Sequence, residues 1–213
     1  MAEDSMILAV RREVLFGGNG DYFQGFREAG EVDYEARILE RPEWVRRGDV
    51  EEDPRFKQPI PYAMVVNPSL GQVFAFKRAK KVEGKYDEAR LQGKWSWGVG
   101  GHVEPSDQAE NILTAGFLRE LGEEVTIHGD VRKVRNIGCI NDDSNPVGQV
   151  HFSLLYVVET NATLITPKDP EIAEGRLRDV QDLSQLCKIP EFQAENWSRI
   201  AVAPLIAYLR QAS

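Results

Sequence analysis

The stretch GGHVEPSDQAENILTAGFLRELGEEVTI, from Gly100 to Ile127, limits what this chain can be more than any other. Its second half predicts a helix running to about Val125, on which Glu120, Glu123 and Glu124 share one arc of about 100°. Arg119 sits beside that arc, and Phe117, Leu118, Leu121 and Val125 are expected on the opposite, apolar side. Like charges three and four residues apart weaken a helix, and carboxylates near its C-terminal end oppose the macrodipole. A sequence that keeps both penalties needs compensation, and hard divalent cations supply it through carboxylate oxygens. A solvated acidic face would account for the triplet alone. The pair Gly100–Gly101 shifts that balance, because it lies between the strand-like run Trp95–Val99 and the helix, where backbone can approach an ion closely. Gly116 falls in mid-helix at a cost of about 1 kcal/mol against alanine, which points to close approach of a loop, or to a kink.

The rest of the chain supports one layered domain. With 213 residues, 42% apolar and 28% charged, it is long enough for a sizeable core. A net charge of −8 argues against a nucleic-acid binder. Cys139 and Cys187 lack CxxC spacing, which predicts two reduced thiols and no zinc site. No signal peptide or membrane-length apolar run is visible, so a cytoplasmic protein is expected. Met6–Phe16 reads as a strand or strand pair, and Val32–Arg41 as a short helix. Tyr62–Val66 and Gln72–Phe76 read as a hairpin, and Glu83–Gln92 as a loop or short helix. Val131–Ile140, Val150–Glu159, Leu164–Lys168 and EIAEGRL are strand-like, whereas Asp179–Leu186 and Glu195–Gln211 carry helical patterns. The mixture predicts an α/β (α+β) domain over residues 58–213. Residues 1–57 are expected to be an N-terminal extension packed on it, completing the pocket or making a homodimer contact.

The Gly100–Ile127 stretch resembles the Nudix box, G-x5-E-x7-R-E-U-x-E-E-x-G-U, where U is a bulky aliphatic residue. Gly101 stands at the opening glycine, Arg119-Glu120-Leu121-Gly122-Glu123-Glu124 matches R-E-U-x-E-E, and Ile127 matches the closing aliphatic. The likeness is strong over about 28 residues and extends less specifically over residues 58–180. There are departures. Asp107 replaces the first glutamate, Thr126 replaces the glycine before Ile127, and four extra residues separate Asp107 from Arg119. The usual spacing back from Arg119 lands on Asn111, so a bend, loop or extra turn is expected between Asp107 and Gly116. The first glutamate's part then falls to Asp107 or Glu110.

The resemblance implies an α/β/α sandwich with a mixed sheet and a Mg²⁺- or Mn²⁺-dependent hydrolase that cleaves a diphosphate linkage. It implies Gly101, Glu120, Glu123 and Glu124 as metal ligands, with Glu123 and Arg119 in the catalytic set and Arg119 orienting Glu120. Glu171 and Glu174 are the candidate general bases, with Asp142 and Asp143 as alternatives. Lys77 and Arg78, followed by Lys80 and Lys81, could meet substrate phosphates. Trp95 and Trp97 either stack on a base or pack in the core, and His102 and His151 are more often structural. The N-terminal extension is similar to that of a subgroup of predicted MutT-like phosphoesterases. The implied partner is a small organic diphosphate, with no nucleic acid and no membrane. Two other readings stand beside this one. A non-catalytic nucleotide-binding module of the same fold would tolerate Asp107 and the insertion, although the intact R-E-L-G-E-E argues against it. An isopentenyl-diphosphate-isomerase-like enzyme needs a reactive cysteine, and Cys139 has no matching motif around it.

Overall fold

A computed structural model describes residues 4–18, 20–80 and 91–212. Lys81 and most of the expected Glu83–Gln92 segment lie outside these described residues. The chain runs β1 (Met6–Arg11), α1 (Arg12–Leu15), β2 (Gly25–Glu28), α2 (Tyr34–Glu40), β3 (Glu43–Arg46), α3 (Arg47–Val50) and β4 (Phe56–Asn67). A short 3-10 turn (Pro68–Leu70) leads to β5 (Gln72–Arg78), β6 (Trp95–Ser96), α4 (Ile112–Glu124), β7 (Val125–Ile127) and β8 (Val131–Asn141). The remainder is α5 (Pro146–Val150), β9 (His151–Thr160), β10 (Ile165–Pro167), β11 (Ile172–Asp179), α6 (Val180–Leu186) and α7 (Asn196–Ala212).

The main sheet orders its strands β11-β5-β4-β9-β8-β2, with β1 added to β4, β3 to β1, and β6 to β5. It is mixed, because β4 and β9 pair in parallel from Gln58↔His151 to Val66↔Glu159 while the other pairs are antiparallel. The mixed-sheet α/β architecture expected from the sequence is therefore present. Alternation along the central strands builds two cores. Ala63, Val65, Phe74, Phe76, Leu154 and Tyr156 face one side with Leu113 and Phe117 of α4. Tyr62, Met64, Val66, Val73, Leu155 and Val157 face the other with Leu183 of α6 and Leu205 of α7. A sheet covered on both faces needs near-continuous apolar strands, which is what HFSLLYVVE is. Cys139 is buried in β8, Cys187 follows α6, and both thiols are free. Among the described residues no helix is long and apolar enough to cross a membrane.

Two local readings need correction. The run Met6–Phe16 is not strand throughout. After Val10↔Lys57 and Arg11↔Phe56 the pairing of β1 with β4 ends, and the chain coils through α1 to bury Leu15 and Phe16. Residues 20–57 contain β2, β3 and α3, which a mixed, charged sequence did not reveal.

The parting of β4 and β5 shapes the functional site. They pair only at Val66↔Val73 and Asn67↔Gln72 and then diverge. Pro59 and Pro61 in β4 have no N–H to offer a neighbouring strand. The gap admits the segment leading to the glycine pair, which bonds across it through Ala63 N to Val99 O at 2.8 Å and Val99 N to Ala63 O at 3.0 Å.

Candidate active site

The glycine pair is dictated by space. Gly100 has φ of +150°, and a Cβ there would lie 1.9 Å from the Pro61 carbonyl oxygen. At Gly101 a Cβ would lie 2.5 Å from the carboxylate of Glu120. The first glycine lets the segment press against β4, and the second makes room for an inward-turned carboxylate.

Helix α4 starts later than its apolar pattern suggests. Asn111 caps it, its side chain accepting from Leu113 N at 3.0 Å and Thr114 N at 3.1 Å. The extra residues therefore form a loop ahead of the helix and leave its phase intact. Asp107 folds back from that loop and is 5% exposed, while Glu110 is exposed. Arg119 Nε donates to Asp107 Oδ1 at 2.8 Å and Nη2 to Oδ2 at 3.0 Å, and Asp107 also accepts from Glu104 N at 2.8 Å. Burial opposes ionisation of Asp107, but these bonds outweigh it and hold its pKa below the ordinary value. Gly116 gives that loop its space, since a Cβ there would meet Asp107 Oδ2 at 3.0 Å and Val103 Cγ2 at 3.1 Å.

The expected split of α4 into an acidic and an opposite apolar side is also corrected. At 100° per residue Glu120 and Glu124 fall on the same side as Leu113 and Phe117, further along the helix. Leu118 is 58% exposed, whereas Leu113 and Phe117 are buried. One inward face thus begins apolar and ends in carboxylates. Arg119 Nη1 donates to Glu120 Oε1 at 2.6 Å and to Glu123 Oε2 at 3.3 Å, and Nη2 donates to the His102 carbonyl at 2.8 Å. Glu124 Oε2 accepts from Gly100 N at 3.1 Å. Burial raises the pKa of Glu120 against the pull of Arg119. Burial also pushes Glu124 up to about 8, despite the Arg78 guanidinium nearby.

Lys168 relieves the helix end. Its ammonium reaches the Gly122 carbonyl, and its backbone N donates to Glu124 O at 2.8 Å. A cation there suits the negative end of the helix. The same turn delivers Asp169 and Glu171 to the cleft, with Glu171 N donating to Asp169 Oδ1 at 2.7 Å.

The cleft beside them has a volume of about 580 Å³. It contains Gly101, Arg119, Glu120, Glu123, Glu124, Arg78 and Glu171 from the sequence-derived set. Glu174 lies outside it, exposed on β11 and paired with Lys77, beyond a register shift after Ile172. Lys77 also lies outside the cleft lining. Asp142 lines the cleft but accepts from Gln24 at 2.7 Å, Ser144 Oγ at 2.6 Å, Asn145 at 2.8 Å and Asn196 at 3.1 Å. Asp143 is outside, bound by Arg12, Lys57 and Tyr22. Trp97 is 1% exposed in the core. Trp95 lies between the Phe192 ring at 6.4 Å and the Arg178 guanidinium at 5.3 Å.

His102 and His151 both reach the cleft. His102 Nε2 lies 2.6 Å from Gln58 Oε1, and His151 Nδ1 lies 2.8 Å from the Val147 carbonyl. Burial, then the neighbouring His151, lowers the His102 pKa well below the ordinary value. Cleft residues not anticipated from sequence include Arg47, Lys94, Asp169, Glu195 and Trp197. Only Asp169 had a local signal, as the acidic start of the turn before Glu171.

The donor set suits a hard divalent cation. Glu120 and Glu124 are held inward where burial disfavours their charges, beside backbone at Gly100–Gly101. Among the described residues, no three His, Cys, Asp or Glu side chains already form a metal-holding group. The Glu123 side chain is 60% exposed and turned to Arg119. Oxygen-only donors in a polar cleft are what Mg²⁺ and Mn²⁺ select.

Comparison with known proteins places the chain in a family. The model of the NUDIX domain family matches residues 57–200. Protein YmaB of Bacillus subtilis (strain 168) is 35% identical over 189 residues, covering 85% of this chain and 89% of its own length. The crystal structure of Tm1382, a candidate Nudix hydrolase, is 25% identical with a TM-score of 0.76, covering 96% of this chain and 99% of that one. The NUDIX domain of Shewanella oneidensis NrtR, solved with ADP ribose, has a TM-score of 0.52 at 11% identity over 72% of this chain and 88% of its own. At that identity the likeness is one of fold alone.

Proposed function

The chain belongs to the NUDIX domain family and is a hydrolase of that family, and from this premise we propose that it cleaves a diphosphate linkage in a small organic diphosphate with Mg²⁺ or Mn²⁺. The observation that supports this most is the inward pair Glu120 and Glu124, half-buried carboxylates whose pKa values burial raises. Glu120, Glu123 and Glu124, with the Gly101 carbonyl, are the groups that would hold the ion. When bound, such an ion polarises phosphate oxygens and acidifies a water molecule.

The chain's own residues do the rest. Asp107 fixes Arg119, and Arg119 fixes Glu120, so the first ligand is oriented before anything binds. Arg78 and Lys94 face the cleft and supply positive charge for phosphate oxygens. Glu171, with its side chain 38% exposed beside Asp169, is the group that would accept a proton from an attacking water in this reading. Glu174 has no such access and carries no role in this reading.

The test is a panel of nucleoside di- and triphosphates, ADP-ribose, dinucleoside polyphosphates and prenyl diphosphates, each with Mg²⁺, Mn²⁺ or EDTA. Released phosphate, pyrophosphate and mononucleotide are measured. Metal-dependent cleavage of one class, lost in Glu120→Gln, is expected. Turnover unaffected by EDTA would refute the metal reading.

A further inference from the structure

We propose that Glu195 is a positioning residue that anchors Arg78, keeping its guanidinium in the cleft without letting it close onto Glu124. This rests on reading Glu120 and Glu124 as cation ligands. Glu195 precedes α7, outside the Gly100–Ile127 segment, and is 6% exposed. Its Oε1 accepts from Arg78 Nε at 2.6 Å, and its Oε2 accepts from Ser96 Oγ at 3.0 Å. Both oxygens are engaged, and the support behind them is rigid. Ser96 Oγ lies 3.0 Å from the Tyr62 hydroxyl, which lies 2.7 Å from Ser198 Oγ, and Ser198 accepts from Trp97 N at 3.1 Å. Ser96, Tyr62 and Ser198 are all buried, so the carboxylate has no other place to turn.

Arg78 ends β5 with its guanidinium over the Phe76 ring at 5.6 Å. Three carboxylates compete for it. Glu195 holds it at 2.6 Å and Glu171 stands at 3.9 Å. Among the described residues no ion pair joins it to Glu124, although the two charges sense each other. A long arginine side chain settles on the carboxylate that offers the best hydrogen-bond geometry. Without the charge of Glu195, the competitors are Glu124 and Glu171, both in the cleft. An arginine closed onto Glu124 would occupy a carboxylate that the ion needs. Glu195 therefore acts on the ion through Arg78 without itself holding the ion.

The test uses the full chain and Mn²⁺ alone, with binding read by electron paramagnetic resonance. Glu195→Gln keeps an oxygen for Ser96 and removes the charge. It is expected to weaken Mn²⁺ binding by about tenfold, a usual size for groups that orient metal ligands. Adding Arg78→Met to Glu195→Gln is expected to restore binding to within about twofold of the parent, because nothing remains to close on Glu124. A merely structural role for Glu195 would not produce that recovery. Unchanged affinity in Glu195→Gln, or no recovery in the double variant, overturns the proposal while the cation reading stands. A parent chain that binds no Mn²⁺ overturns the cation reading and this proposal with it. If Glu195→Gln does not fold, Ser96→Ala decides, with a loss of about threefold expected from one missing hydrogen bond and no loss overturning the proposal.

Discussion

Two networks of cations and carboxylates, one lining the cleft and one behind its wall, differ in which charge is in excess. On α4 one cation, Arg119, serves Asp107, Glu120 and Glu123, and Glu124 beside them has a backbone N–H for a partner. Around the turn before α5 one carboxylate, Asp143, serves two cations, Arg12 and Lys57, and also accepts from Tyr22 at 3.0 Å. Lys57 is fully buried and spends its other donors on the carbonyls of Gly148 at 2.6 Å and His151 at 3.1 Å. The consequences for protonation are opposite. Burial pushes Glu124 up to about 8. At Asp143 burial also works against the charge, but Arg12 and Lys57 prevail and bring it down to about 2. The same residue types thus make a receptive site where carboxylates outnumber cations, and a closed clasp where cations outnumber carboxylates. The clasp ties the N-terminal segment to the turn that carries Gly148 and His151 into the cleft wall.

The largest effect should separate the two networks by function. Glu124→Gln is expected to lower metal-dependent hydrolysis by about a thousandfold, comparable to removing a group that stabilises transition-state charge. The unfolding midpoint of this variant should stay level or rise, because a poorly compensated buried charge is gone. A marked drop in urea stability would mean that Glu124 belongs to a structural network after all.

The next effect should appear in stability. Asp143→Asn leaves buried Lys57 without its carboxylate counter-ion and is expected to cost about 3 kcal/mol in urea unfolding, with Mn²⁺ affinity retained. The pH dependence follows the sign of the shift. Asp143 has a folded value near 2 against an ordinary 3.8, so its contribution is complete above 3.8 and drains as pH falls toward 2. Acid unfolding of the parent should steepen in that window, and Asp143→Asn should lack the step. An identical acid limb in both proteins would break the comparison.

The smallest effect concerns a residue that belongs to neither network. Glu174→Gln should change kcat/KM by less than about twofold, since an exposed residue away from the cleft contributes little. A tenfold loss would return Glu174 to the reacting centre and require β11 to shift its register.

The sequence made some of this legible and hid the rest for physical reasons. The near-continuous apolar run HFSLLYVVE and the hairpin around Pro68 made the sheet legible, because a strand packed on both faces stays apolar along its length. The box singled out a set of candidate carboxylates, but not that Glu120 and Glu124 share a face with Leu113 and Phe117. A pattern that assigns charge to the outside cannot see a carboxylate buried on purpose. Asp107 and Glu110 were both legible as substitutes, and the contact of Asp107 with Arg119 needed the loop's path. Glu195, Trp197 and Arg47 were illegible because nothing local marks them. They reach the cleft through β6, α7 and β3–α3, whose placement depends on pairings far apart in sequence.

The Asn111 cap has a consequence for how this chain tolerates change. Because the cap fixes where α4 begins, the length of the loop ahead of it is uncoupled from the angular position of every residue behind it. Gln108, Ala109 and Glu110 are exposed and precede that fixed origin. Loop length can therefore drift there without rotating Arg119 or the glutamates. The same stretch is a natural point for grafting a reporter peptide beside a working site.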